Sequence, residues 1–184
     1  MDDNKVILNR DIYLFSNVDN ESACNIVSAI NEINKQDDKN ESKKWIIPYK
    51  REPIKLIINS YGGYVSSMFA IISTIINSKT PIHTYVTGTA QSAAAMITMC
   101  GNHRSMSKYG ILMIHDIAGT LEGNSAKIKN YMQEWDLETN SFKELFEVYS
   151  NIPMSIVDDF IENGNNLYLT PEEALRYGII DEII

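Results

Sequence analysis

The chain has 184 residues, 44% of them hydrophobic, and carries 16 Lys and Arg against 24 Asp and Glu, for a formal net charge of −8 and a pI near 4.9. That length buries one substantial core and calls for no second domain, so a single domain over residues 1–184 is expected. With no basic stripe and no interleaving of cations with aromatic residues, nucleic acid and an anionic membrane are excluded as expected partners.

The N-terminus, Met1-Asp2-Asp3-Asn4-Lys5, is polar and has no apolar run or small-residue cleavage site behind it, so no signal peptide is read and a cytoplasmic location is expected. No apolar stretch reaches the roughly 18 residues that span a bilayer. Arg10 to Phe15 reads as a strand, and Ser22 to Ile33 as a helix with Ala23, Ile26, Val27, Ile30 and Ile33 on one face. From Asn34 to Lys44 almost nothing is apolar, which reads as a solvated loop, part of an insertion over 34–49. Within it Trp45-Ile46-Ile47-Pro48-Tyr49 reads as an extended hydrophobic anchor. Ile54 to Ile58 is a β-branched run suited to a parallel strand buried on both faces, and Gly62-Gly63 precede a helix from Val65 to Ile76. Ile82 to Val86 gives a strand, Ser92 to Met99 a helix and Ile111 to Ile114 another strand, while His103 falls in a polar Gly-Asn-His-Arg turn. A long helix follows from Ser125 to Tyr149, then a shorter one from Met154 to Ile161 that breaks at Asn163-Gly164-Asn165-Asn166. Thr170, Pro171 and Glu173 form a capping box with proline at the first helical position, and Ile179 to Ile184 closes the chain as a short strand. The alternation of strand and helix gives an α/β layered fold. Cys24 and Cys100 sit in apolar periodic segments without a CxxC or Cys/His cluster, and read as small core residues in a reducing compartment.

Three segments carry candidate chemistry. Ser92 lies in Gly88-Thr89-Ala90-Gln91-Ser92-Ala93, a small-residue turn between strand and helix where a serine nucleophile can be displayed. Gly62-Gly63 end a strand before a helix, where backbone N–H groups can face a developing oxyanion. His115 ends the strand Ile111 to Ile114 and is the candidate base. Each also has a plain structural reading: a helix cap, a tight turn, a hydrogen-bonded core histidine. His83 and His103 are weaker candidates, each without a titratable neighbour in sequence. Neither a metal site nor a cofactor is expected from this set.

In order and context these segments resemble the proteolytic subunit family of the Clp protease, from Arg10-Asp11-Ile12-Tyr13-Leu14 to Tyr177-Gly178-Ile179-Ile180-Asp181. Asn59-Ser60-Tyr61-Gly62-Gly63 is similar to the family's Asn-Ser-Pro-Gly-Gly turn, and the stretch from Gly63 to Ser92 needs no gap. The resemblance implies a crotonase-like spiral of ββα units and serine-type endopeptidase activity. It implies Ser92 as nucleophile, His115 as base, and the N–H groups of Gly63 and Ala93 as oxyanion hole. The family's aspartate falls on Asn166, with Asn165, Asp158, Asp159 and Glu162 as alternatives for that third role. An Asn can orient a histidine ring but lends it no full charge. A peptide or unfolded protein would add as a strand beside Gly62, Tyr64, Ile117 and Gly119. The family assembles into heptameric rings stacked in pairs, with the helix from Ser125 to Tyr149 as the handle joining them. A Clp-type ATPase is a further implied partner, set against only about ten residues before the first strand, too few for the family's axial loops. Two other readings stand beside this one: a catalytically weak or silent ring subunit assembling with active paralogues, and an acyl-CoA-binding crotonase relative.

Overall fold

The computed structural model describes residues 10–43 and 48–184. Its elements run β1 (Asp11–Leu14), α1 (Asn20–Ser42), β2 (Ile54–Ser60), α2 (Val65–Ile76), β3 (Ile82–Gln91), α3 (Ala93–Met99), β4 (His103–Met106), β5 (Ile111–Ile114), α4 (Ser125–Tyr149), α5 (Met154–Asn163), β6 (Leu167–Leu169), α6 (Pro171–Arg176) and β7 (Glu182–Ile183). The N-terminal residues and Trp45, Ile46 and Ile47 of the expected anchor lie outside the described residues.

The strands form one sheet in the order β1-β2-β3-β4-β7, parallel throughout this path. β3 has two partners on one edge: residues 83–86 pair with β4, and residues 89–91 pair with β5. The change of partner comes where β2 slips register between Ile58 and Ser60. There Asn59 Oδ1 accepts the Thr89 N–H at 3.1 Å. β5 then takes β6 in antiparallel pairing, Ile114 opposite Leu167.

β2 alternates buried and exposed residues, with Ile54, Leu56 and Ile58 all at 0% exposure. Helices α1, α2 and α3 cover that inner face through Ile26, Ile30, Met68, Ile71, Ile75 and Met96. The opposite face of β1, β2 and β3 carries the exposed or half-buried Tyr13, Lys55, His83 and Tyr85. α4 divides in two. Its last turns bury Phe142, Leu145 and Phe146, whereas 125–141 holds no buried residue and leaves Met132 and Leu137 exposed.

Four sequence expectations need correction. The stretch 34–42, expected as a loop, continues α1 to Ser42. It is polar because only one side of it is covered, and a solvated helix face has the same composition as a solvated loop. Asp37, in that stretch, is wholly buried and accepts from Arg10 (2.5 and 3.0 Å), Tyr49 (2.6 Å) and Thr80 (2.7 Å). His103 lies in a strand, since β4 gains its order from pairing with β3 and β7 and not from its own residues. The three-residue β6 was not expected, being too short to show a period. Cys24 is exposed on α1, one position off the buried stripe that Ala23 and Ile26 define, so only Cys100 is a core residue. Among the described residues no helix is long and apolar enough to cross a membrane.

Candidate active site

β2, β3 and β5 deliver their C-terminal ends to one place. β3 ends at Gln91, α3 begins at Ala93, and Ser92 makes the whole turn between them with φ 52° and ψ −125°. It is the one non-glycine residue at positive φ among those described, a conformation that costs about 1–3 kcal/mol and persists only where surroundings enforce it. The enforcement is visible: Ser92 N–H donates to Met113 O on β5 at 2.8 Å, and its carbonyl accepts from Ala95 N–H at 2.9 Å. Its hydroxyl does not cap α3, and no hydrogen bond occupies it among the described residues. The helix-cap reading of Ser92 therefore fails, and the half-buried hydroxyl is left for other work.

Gly62 packs directly on this turn. A Cβ at that position would stand 2.6 Å from Gln91 O, 2.8 Å from Ser92 Cβ and 3.0 Å from Ala93 N, and φ +93° excludes a side chain on conformational grounds as well. Gly63 faces Val18: Val18 N–H donates to Gly62 O at 2.8 Å and Tyr64 N–H to Val18 O at 2.7 Å. That pairing leaves the Gly63 N–H without an acceptor among the described residues. The Ala93 N–H opens α3, where no intrahelical acceptor exists. The glycine turn thus brings unoccupied main-chain donors to the serine.

His115 follows β5 directly and is half-buried. Its Nδ1 hydrogen-bonds to the carbonyl oxygen of Asp116. With Nδ1–H as that donor, Nε2 is the ring nitrogen left to act as a general base. No hydrogen bond joins His115 to Ser92 among the described residues. In unliganded enzymes such contacts are commonly long and tighten with substrate.

Asn166 lies one residue before Leu167, and His115 one residue after its partner Ile114, so continuing the β5–β6 register sets Asn166 across from His115. Asn166 is exposed and makes no hydrogen bond among the described residues. The acidic alternatives are engaged elsewhere or turned outward: Asp158 accepts from Lys143 at 2.6 Å, Asp159 from Asn163 at 2.8 Å, and Glu162 is exposed. Asn165 is exposed, its N–H bonded to Phe160 O at 3.2 Å. Sequence reasoning missed Asp116. Its carbonyl meets His115 Nδ1, and its Oδ1 is buried with no partner among the described residues. Its place directly after His115 was the available signal.

Of the expected substrate-facing residues, Tyr64 is 69% exposed, Ile117 is buried and Gly119 is exposed with its Cα side against Trp135 of α4, 3.3 Å from where a Cβ would be. Cys100 offers no rival nucleophile, because burial pushes its thiol up to about 12.

Comparison with known proteins supplies the remaining context. A family model described as Clp protease matches residues 2–184. The chain is 28% identical over 137 residues to the ATP-dependent Clp protease proteolytic subunit 1 of Protochlamydia amoebophila (strain UWE25), covering 72% of this chain and 66% of that protein. It is 31% identical over 137 residues to the ATP-dependent Clp protease proteolytic subunit 2 of Chlamydia pneumoniae, covering 73% of this chain and 66% of that protein. The match thus spans about two thirds of the length of these curated relatives, 66% in both.

Proposed function

The chain belongs to the Clp protease family, and from that premise we propose that it is a serine-type peptidase acting on peptides or unfolded proteins. Ser92 Oγ attacks the peptide carbonyl while His115 Nε2 takes its proton. The Gly63 and Ala93 N–H groups receive the developing oxyanion. His115 then protonates the leaving amine, and water releases the acyl group from Ser92 by the reverse sequence. The observation that carries the reading is Ser92 itself: a positive-φ residue at a strand–helix turn, whose hydroxyl caps nothing and whose neighbour Gly62 leaves no room for a side chain.

The third role is divided. The Asp116 carbonyl holds the His115 ring in the tautomer the reaction needs, and Asn166 stands across from it. Neither supplies a full charge at Nδ1, so turnover is expected below that of a Ser-His-Asp site. Substrate joins as a strand beside Gly62 to Tyr64, which makes recognition a matter of backbone hydrogen bonds. The exposed stretch 125–141 of α4 is the surface that packs against a second copy, in a ring assembly enclosing the sites.

Ser92→Ala abolishes labelling by a fluorophosphonate probe in this reading and leaves the assembly intact by native mass spectrometry. Labelling that persists removes Ser92 from the mechanism. A silent ring subunit is the competing reading, favoured by the exposed, unbonded Asn166. Cleavage of model peptides by the purified chain, lost on His115→Ala, decides for the enzyme.

A further inference from the structure

Among the described residues, the carboxylate directly after His115 has no counterpart. Asp116 Oδ1 is shut away from water without a hydrogen-bond partner, and no ion pair engages the side chain. Asp37 shows what this fold supplies to a carboxylate buried for structure: donors from Arg10, Tyr49 and Thr80. A buried acceptor left bare costs stability, so its retention asks for a use. Its surroundings point to one. Ile114 and Ile117 to either side are buried, so charge here is screened less than on an open surface. His115 Nδ1 is hydrogen-bonded to the carbonyl oxygen of Asp116 itself. The imidazole is thereby folded back onto the residue that follows it, and covalent geometry keeps the carboxyl carbon within about 8 Å of that ring nitrogen. No other carboxylate takes the place: Asn166, across from the ring, is neutral, Asp158 is tied to Lys143 and Asp159 to Asn163.

We infer that Asp116 is a positioning residue of the peptidase site, whose carboxylate offsets the positive charge that His115 acquires during the reaction. The inference rests on the peptidase reading above. As Ser92 Oγ attacks the peptide carbonyl, its proton moves to His115 Nε2 and the ring becomes a cation. When the leaving amine takes that proton, the ring is neutral again. Asp116 stays ionised throughout and exchanges no proton. Its charge is unmatched in the resting site and matched in the transition state, so the attraction arises where it speeds the reaction. One residue thus gives the ring both its orienting acceptor, the carbonyl, and the charge that Asn166 lacks.

The test compares the unsubstituted chain, Asp116→Asn, Asn166→Asp and the double variant in hydrolysis of a fluorogenic peptide, with urea unfolding of each. Asp116→Asn removes the charge and keeps the shape. It is expected to lower kcat about 10- to 100-fold with KM unchanged. The urea midpoint should stay the same or rise, since no partner is lost. Adding Asn166→Asp should recover about tenfold or more of the lost kcat, because a charge returns on the other side of the same ring. A lower kcat with a lower urea midpoint and no recovery in the double variant marks a merely structural residue and overturns the inference. Full turnover in Asp116→Asn overturns it alone and leaves the role of Ser92 standing. An unsubstituted chain that takes no fluorophosphonate label at Ser92 and cleaves no peptide overturns the peptidase reading, and this inference with it.

Discussion

A single methyl group added to Gly62 would fall 2.6 Å from Gln91 O and 2.8 Å from Ser92 Cβ, both belonging to the turn that displays the candidate nucleophile. Those neighbours are backbone or the first atom of a side chain, so they yield only if the turn itself moves. Gly62→Ala is therefore expected to cost about 1–3 kcal/mol in urea unfolding. It should also reduce peptide hydrolysis about a hundredfold, because a small displacement of a reacting group is enough for that. A variant with wild-type stability and turnover would show that the turn is not strained in the way described. At this scale Ser92 and His115 stood out as candidates through the order of three segments that resemble the family, each segment being weak alone. Asp116 was less so, since a buried carboxylate oxygen is invisible in sequence. The pairing of His83 with His103 was not readable at all: the residues are far apart in the chain, and only the register of β3 on β4 makes them neighbours.

α4 is one helix with two fates. Its last turns contribute Phe146 at 0% exposure, whereas Leu137, only a few turns earlier, is 69% exposed. Phe146→Ala is expected to destabilise the single chain by about 3–5 kcal/mol, through lost transfer energy and the cavity left behind. Leu137→Glu should leave the chain's own unfolding within about 0.5 kcal/mol of the original while dissociating the ring assembly proposed above, read by sedimentation velocity. If Leu137→Glu unfolds the chain and Phe146→Ala does not, the division of the helix is wrong. The bounds of α2 and α4 were legible from apolar periodicity over more than three turns. The end of α1 was not. Past Ile33 it has one buried residue, Asp37, and the ties that hold it come from Arg10, Tyr49, Arg51 and Thr80 elsewhere in the chain.

Over the whole molecule, Asp37 is the point where four distant segments meet: the entry to β1, the end of α1, the chain returning to β2, and the turn before β3. Burial alone would raise its carboxyl, but hydrogen bonds from Arg10, Tyr49 and Thr80 outweigh this and hold it below the ordinary 3.8. A carboxyl lowered in the folded state contributes stability that is complete above its unfolded value and is lost as pH falls through the folded one. Stability should accordingly decline below about pH 4, and Asp37→Asn should flatten that decline while costing about 3–5 kcal/mol at neutral pH, by leaving Arg10 without its partner. Chemical denaturation across that pH range measures both, and an unchanged acid slope in the variant would assign the titration to another group. The general plan of the molecule, an α/β alternation with the candidate residues at strand ends, followed from the order of apolar runs. Which strand neighbours which did not, because short polar strands such as β4 and β6 borrow their structure from the partners they meet.

The change of partners along β3 separates two regimes within ten residues. The first half is stitched to β4, the second to β5, and the crease at Asn59 lies between them. Stiffening or loosening one seam leaves the angle of the other to its own ladder. Substitutions that remodel the histidine-bearing end can therefore accumulate without passing their consequences down the strand to the serine.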